Sequence, residues 1–174
     1  MVKKANVLVL VLVLFSAWPP SSARGGEKVT ETEFSVVVDY SATFGQMVGA
    51  THFKWVHPAL KKDKNVQLKG EGRVERDLVL VRLAKKASTQ EIRDDLAQRG
   101  LKPAKVEDLL TLSAANHDLP NLIVALGSPW EFFGSIAFPY ITGSGEKRFL
   151  SLKLLWGGDF DWDEDWWFLA VRSK

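Results

Sequence analysis

The chain has 174 residues, 46% of them hydrophobic and 25% charged, and it contains no cysteine. A disulfide framework, a thiolate metal site, a cysteine nucleophile and a lipidated N-terminal cysteine are therefore all excluded. The formal net charge is +2. Lys3 and Lys4 are the only charges within residues 1–23, so 21 basic and 21 acidic residues remain beyond them, without the basic excess of a nucleic-acid binder.

Residues 1–23 read as a secretory signal. Lys3 and Lys4 give a positive start and Val7 to Phe15 is an unbroken apolar run. Pro19 and Pro20 then break any helix, and Ser21-Ser22-Ala23 offers the small residues of a cleavage site. The apolar run is too short for a membrane span, which needs about 20 residues. Export to the periplasm, the cell surface or the medium is expected, with no membrane association after cleavage. Residues 24–32 are polar and read as a flexible lead, and 33–174 as a single domain.

Phe34 to Tyr40 is β-branched and predicts the first strand. Ser41 is in place to cap a short helix over 42–50, whose apolar positions include Phe44, Met47 and Val48. His57 to Gly72 has no period and predicts an exposed, irregular crossing. Arg73 to Leu83 predicts a second strand, with Leu78-Val-Leu-Val81 buried. Ser88 and Glu91 have the spacing of a capping box, Ile92 and Leu96 follow at i,i+4, and Gly100 ends that helix. Pro103 suits the first turn of the next helix, which carries Val106, Leu109, Leu110 and Ala114 on one face.

The run Leu122 to Ser128, entered through Pro120-Asn121 and left through Gly127-Ser128-Pro129, predicts a central strand buried on both faces. Hairpins follow: Phe132 to Tyr140 and Arg148 to Trp156 flank the turn 142–146, and Trp166 to Arg172 is expected to pair back across 157–165. The fold class is therefore α+β: a mostly antiparallel sheet covered on one side by a few short helices, with C-terminal β-hairpins. The expected core is Val37, Leu80, Ile92, Leu96, Leu109, Ile123, Ala125, Leu154 and Leu169.

Several short motifs recur in order along the chain: Val38-Asp39-Tyr40, Lys54-Trp55-Val56, Gly100-Leu101-Lys102-Pro103-Ala104 leading to Asp108-Leu109-Leu110, Ile123 to Ser128, and Phe168 to Arg172. Through them, residues 34–174 resemble a family of uncharacterised bacterial proteins with no assigned activity. The resemblance implies a fold and no chemistry.

The most conspicuous stretch is 157–167. Asp159, Asp161, Asp163, Glu164 and Asp165 are interleaved with Phe160 and Trp162, and followed by Trp166 and Trp167. Asp159, Asp161 and Asp163 match the 1-3-5 spacing of a Ca²⁺ loop, but Glu164 stands where that loop needs glycine and Ala170 where it needs a bidentate glutamate. An EF-hand is excluded. A looser cation site at those three aspartates, with Ca²⁺ as its ion, and a solvated acidic tip remain, the latter favoured. Trp162 and Trp166 beside carboxylates also suggest a platform for a glycan or protein partner, although buried indoles in a core are the commoner use.

Other candidates reduce to architecture. His52 and His57 are five apart with Pro58 next to them, which defeats a helical metal pair, and His117 is placed as a helix C-terminal cation. Ser128 lacks the second glycine of a nucleophile elbow, and Thr142 to Lys147 lacks the ending of a phosphate loop. Glu107 and Asp108 on the second of two adjacent helices argue against reading DNA. The expectation is an exported, non-catalytic binding domain without a required cofactor, using 156–167. The alternative is a hydrolase of cell-surface polymer, with an acid among Glu131, Asp159 and Asp161.

Overall fold

The computed structural model describes residues 29–62, 68, 70–145, 147–155 and 162–172, residues 62 and 132 by their backbone only. The expected signal, residues 24–28, Trp156, Asp159 and Asp161 lie outside the described residues. Among the described residues no helix is long and apolar enough to cross a membrane.

In chain order the elements are β1 Thr30–Asp39, α1 Phe44–Ala50, β2 Trp55–Val56, α2 Pro58–Lys62, β3 Arg73–Arg82, α3 Thr89–Gln98 and β4 Leu101–Pro103. They continue with α4 Val106–Ala115, β5 Ile123–Val124, β6 Trp130–Phe132, β7 Ser135–Thr142, β8 Phe149–Leu155 and β9 Trp167–Arg172. The strands form one sheet in the order β1-β3-β9-β5-β7-β8-β2, with β4 added to β9 and β6 to β7. All pairings are antiparallel except β5 with β9 and β2 with β8. The α+β, mostly antiparallel architecture is thus the observed one.

Alternation along the strands sorts the core onto two faces. Val38, Leu78, Leu80, Ile123 and Leu169 face one side, where Leu109, Leu110 and Leu112 of α4 and Phe44 and Met47 of α1 cover them. Val79, Val81, Val124, Phe138 and Phe168 face the other, against Ile92 and Leu96 of α3. The helices therefore lie on both sides rather than one. Leu78 to Val81 is buried at every position because both faces are covered.

The strand boundaries differ from expectation for specific reasons. β1 begins at Thr30, so residues 30–32 of the expected lead are in the sheet, opposite Arg82, Val81 and Leu80. Its inward residues are Val36 and Val38, while Val37 is 55% exposed on the opposite face. Leu154 is half-buried at the margin of the core. β5 is central and buried from Ile123 to Leu126, yet only two residues pair. Leu122 enters with φ 57, which breaks the strand on one side. On the other, β4 already occupies the edge of β9 from Ala170 to Arg172. Pro103 belongs to that strand and not to the helix.

The largest correction concerns the C-terminal half. β8 and β9 run in the same direction, because β8 is antiparallel to β7, β7 to β5, and β5 parallel to β9. Two strands separate them. Parallel strands require a crossover, so the stretch between Leu155 and Trp167 cannot be a hairpin tip and β9 does not pair back onto β8. Its described part, 162–166, returns across the α3 side of the sheet, where Trp162 bridges Ala87.

Candidate functional site

The crossover consumes the tryptophans that had suggested a platform. Trp162 has no exposure and Trp166 is buried. The Trp162 ring lies 4.9 Å from Trp166, 5.7 Å from Phe168 and 6.3 Å from Phe138, and its Nε1 donates to Thr89 Oγ1 at 2.9 Å. Trp166 packs edge-on against Tyr140 and takes Lys153 over its ring. Neither indole offers an open face. Asp163 is exposed and accepts from the Asp165 amide at 3.1 Å, while Arg82 pairs with Asp165 at 3.7 Å. Glu131 is exposed on β6. Among the described residues no group of three or more His, Asp or Glu side chains is arranged to hold a metal ion.

The histidines take structural places. His57 Nδ1 accepts from the Ala59 amide at 3.2 Å and so caps α2, which Pro58 opens as a first-turn proline should. His117 Nδ1 lies 3.4 Å from Nη2 of the buried Arg148. Arg148 donates to Ser113 O, Ser113 Oγ and Asn116 O at 2.8, 2.6 and 3.0 Å. A cation thereby meets the negative end of α4, although burial itself disfavours the charged guanidinium. Asn121 Oδ1 accepts from Thr142 Oγ1 and the Gly143 amide, which holds the end of β7 where the chain turns towards β8.

A recess forms among the described residues where β1 ends. Asp39 accepts from the Ser41 amide at 3.0 Å and from its hydroxyl, and pairs with Arg73, which stops the strand and holds its carboxyl below the usual range. The chain then turns into α1, capped by Thr43 and not by Ser41. Thr43 Oγ1 accepts from the Gln46 amide, and Gln46 Oε1 accepts from the Thr43 amide at 2.7 Å. Between this turn, α1, β2 and α2 lies a cavity of about 700 Å³. Its apolar wall is Ala42, Phe44, Val48, Val56, Leu60 and Leu68, and Tyr40, Ser41, Thr43 and Lys61 supply its polar groups. The Tyr40 ring is pinned by the backbone of Gly70, where a Cβ would stand 2.5 Å from the ring.

Behind Tyr40 lies a charge cluster in which Arg76 is half-buried and Glu107 and Asp108 are buried. Arg76 Nη2 donates to the Tyr40 hydroxyl at 2.9 Å, a bond that favours the charged form of Arg76. Arg76 Nε faces Asp108 Oδ1 at 3.7 Å, and neither atom has a hydrogen-bond partner among the described residues. Asp108 Oδ2 accepts from the Lys105 amide at 2.9 Å, and Ser128 Oγ accepts from the Val106 amide at 2.9 Å. Together they cap the first turn of α4. Glu107 and Asp108 are both buried, and burial pushes both carboxyls up.

The sequence pointed away from this site. Tyr40 was visible only as the end of a strand, and Leu60 and Lys61 lay in a stretch without period. His57-Pro58 was the available signal, since a capping residue followed by first-turn proline announces a short helix. Glu107 and Asp108 carry no sequence mark of burial, because acids in a first turn are ordinary dipole partners. Comparison with known proteins returns no match to a family model, to a curated protein or to a solved structure.

Proposed function

We propose that the protein is an exported, non-catalytic binding domain whose seat is the recess at the end of β1, and that it takes a small molecule with a largely apolar body. The observation that carries this reading is the cavity itself. Its volume of about 700 Å³ falls within the roughly 300–1,000 Å³ of small-molecule sites. Its described lining combines an apolar wall with one phenol, one ammonium and the hydroxyls of Ser41 and Thr43, and holds no carboxylate or imidazole, which favours binding over acid–base chemistry. The support for export is the charge, apolar run and small residues of 1–23.

The test uses the processed chain, residues 24–174, which contains every described element. Its thermal unfolding midpoint is measured with and without 1-octanol as a neutral apolar probe. A ligand that binds only the folded state raises the midpoint by mass action. Gly45 lines the recess, and a Cβ there would meet nothing within 4 Å, so Gly45→Leu adds an apolar side chain to the recess without a Cβ clash. A rise in the parent that is absent in Gly45→Leu is expected. No rise in the parent removes the reading, and an equal rise in both moves the seat elsewhere.

A further inference from the structure

We infer that the ligand of this recess is a free acyl carboxylate, its chain against the apolar wall and its anionic head received by Lys61 and the Tyr40 hydroxyl. The inference rests on the binding reading above and adds the ligand class. Three features of the lining lead to it.

The first is charge. Lys61 is the one charged side chain among the described residues that line the cavity, and it is exposed at the start of the wall formed by α2. A neutral ligand gains only a hydrogen bond from it, a carboxylate gains the bond and the charge attraction, and a cationic ligand is repelled. The second is donor chemistry. Tyr40 already accepts a hydrogen bond from Arg76 Nη2. Its own proton is thereby left to donate, and a carboxylate is the acceptor that gains most from such a donor. The remaining hydroxyls are committed locally: Ser41 Oγ donates to Asp39, and Thr43 Oγ1 donates to Gln46 Oε1 at 3.1 Å. They are poorly placed to recognise a polyhydroxylated ligand such as a sugar.

The third feature is the length of apolar wall. Phe44, Val48 and Leu60 come from two helices and Val56 from the edge strand between them, so the wall is built by packed elements. Such a wall discriminates by chain length: each buried methylene contributes ~0.8 kcal/mol, which is about fourfold in affinity.

The experiment measures binding of octanoate, hexanoate, 1-octanol and octyltrimethylammonium to the processed chain by calorimetric titration, in the parent and in Lys61→Met, which keeps an apolar stem and removes the charge. Octanoate is expected to bind best, and hexanoate roughly fifteenfold more weakly at two methylenes fewer. Lys61→Met should cost octanoate about threefold or more and leave 1-octanol unchanged. Tyr40→Phe serves as a second variant, with the same selective loss for octanoate. Equal binding of octanoate, 1-octanol and the ammonium probe overturns the ligand class while leaving a binding domain. Unchanged octanoate affinity in both variants also overturns it. Absence of binding by every probe overturns the binding reading as well.

Discussion

Replacing Trp162 separates a core role from a surface role. The indole has no exposure, sits among Trp166, Phe168 and Phe138, and satisfies its Nε1 with Thr89 Oγ1. Trp162→Ala removes a large buried ring and leaves a cavity, which costs about 3–5 kcal/mol. For a domain of this size that is a fall in midpoint of roughly 6–20 °C. Trp162→Phe keeps most of the packing and gives up the hydrogen bond, an expected loss of about 1–3 kcal/mol. Thr89→Val strands the buried indole N–H, again about 1–3 kcal/mol. Because the two atoms share one bond, Trp162→Phe with Thr89→Val should cost less than the sum of the single changes. Urea unfolding of the parent and the four variants, followed by far-ultraviolet circular dichroism, reads all of this. A loss below about 1 kcal/mol for Trp162→Ala would refute burial of the crossover and return the tryptophan to the surface.

Three further changes probe the frame of the recess. Ser128→Ala removes the oxygen that accepts from the Val106 amide and should lower stability by about 0.5–2 kcal/mol, measured by urea midpoint. Gly70→Ala places a Cβ against the Tyr40 ring and should cost roughly 1–3 kcal/mol by overpacking, with a thermal midpoint close to the parent's as the contrary result. Burial raises the Glu107 carboxyl above its unfolded value. Its stabilising contribution is therefore complete below about pH 4 and is lost as pH rises through the folded value. Measured by urea unfolding from pH 4 to pH 7, the parent should lose stability relative to Glu107→Gln as pH increases. A flat or opposite difference would contradict it.

Much of the architecture was legible in the chain because it is written locally. The capping box at Ser88 and Glu91 and the terminating glycine at Gly100, with φ 70, place α3 where the sequence does. The apolar runs at 78–81 and 123–126 mark strands buried on both faces. What was not legible depends on which strands meet. The direction of β9 relative to β8 is set by β5 and β7, which stand between them, and no local signal announces it. That single topological fact takes Trp162 and Trp166 out of the expected exposed hairpin and into the core. The recess was hidden for the same reason, since Tyr40, Val48, Leu60 and Lys61 converge from separate elements. The register of β1 was missed by one residue: in Val36-Val37-Val38 every residue is equally apolar, so alternation gives no phase.

The central claim is that a ligand enters at the end of β1. Amide chemical shifts of the isotope-labelled processed chain, followed through a titration with octanoate, test it most directly. The account predicts saturable changes concentrated in residues 40–48 and 56–61. Saturable changes centred instead on 162–165, or no saturable change anywhere, would contradict it.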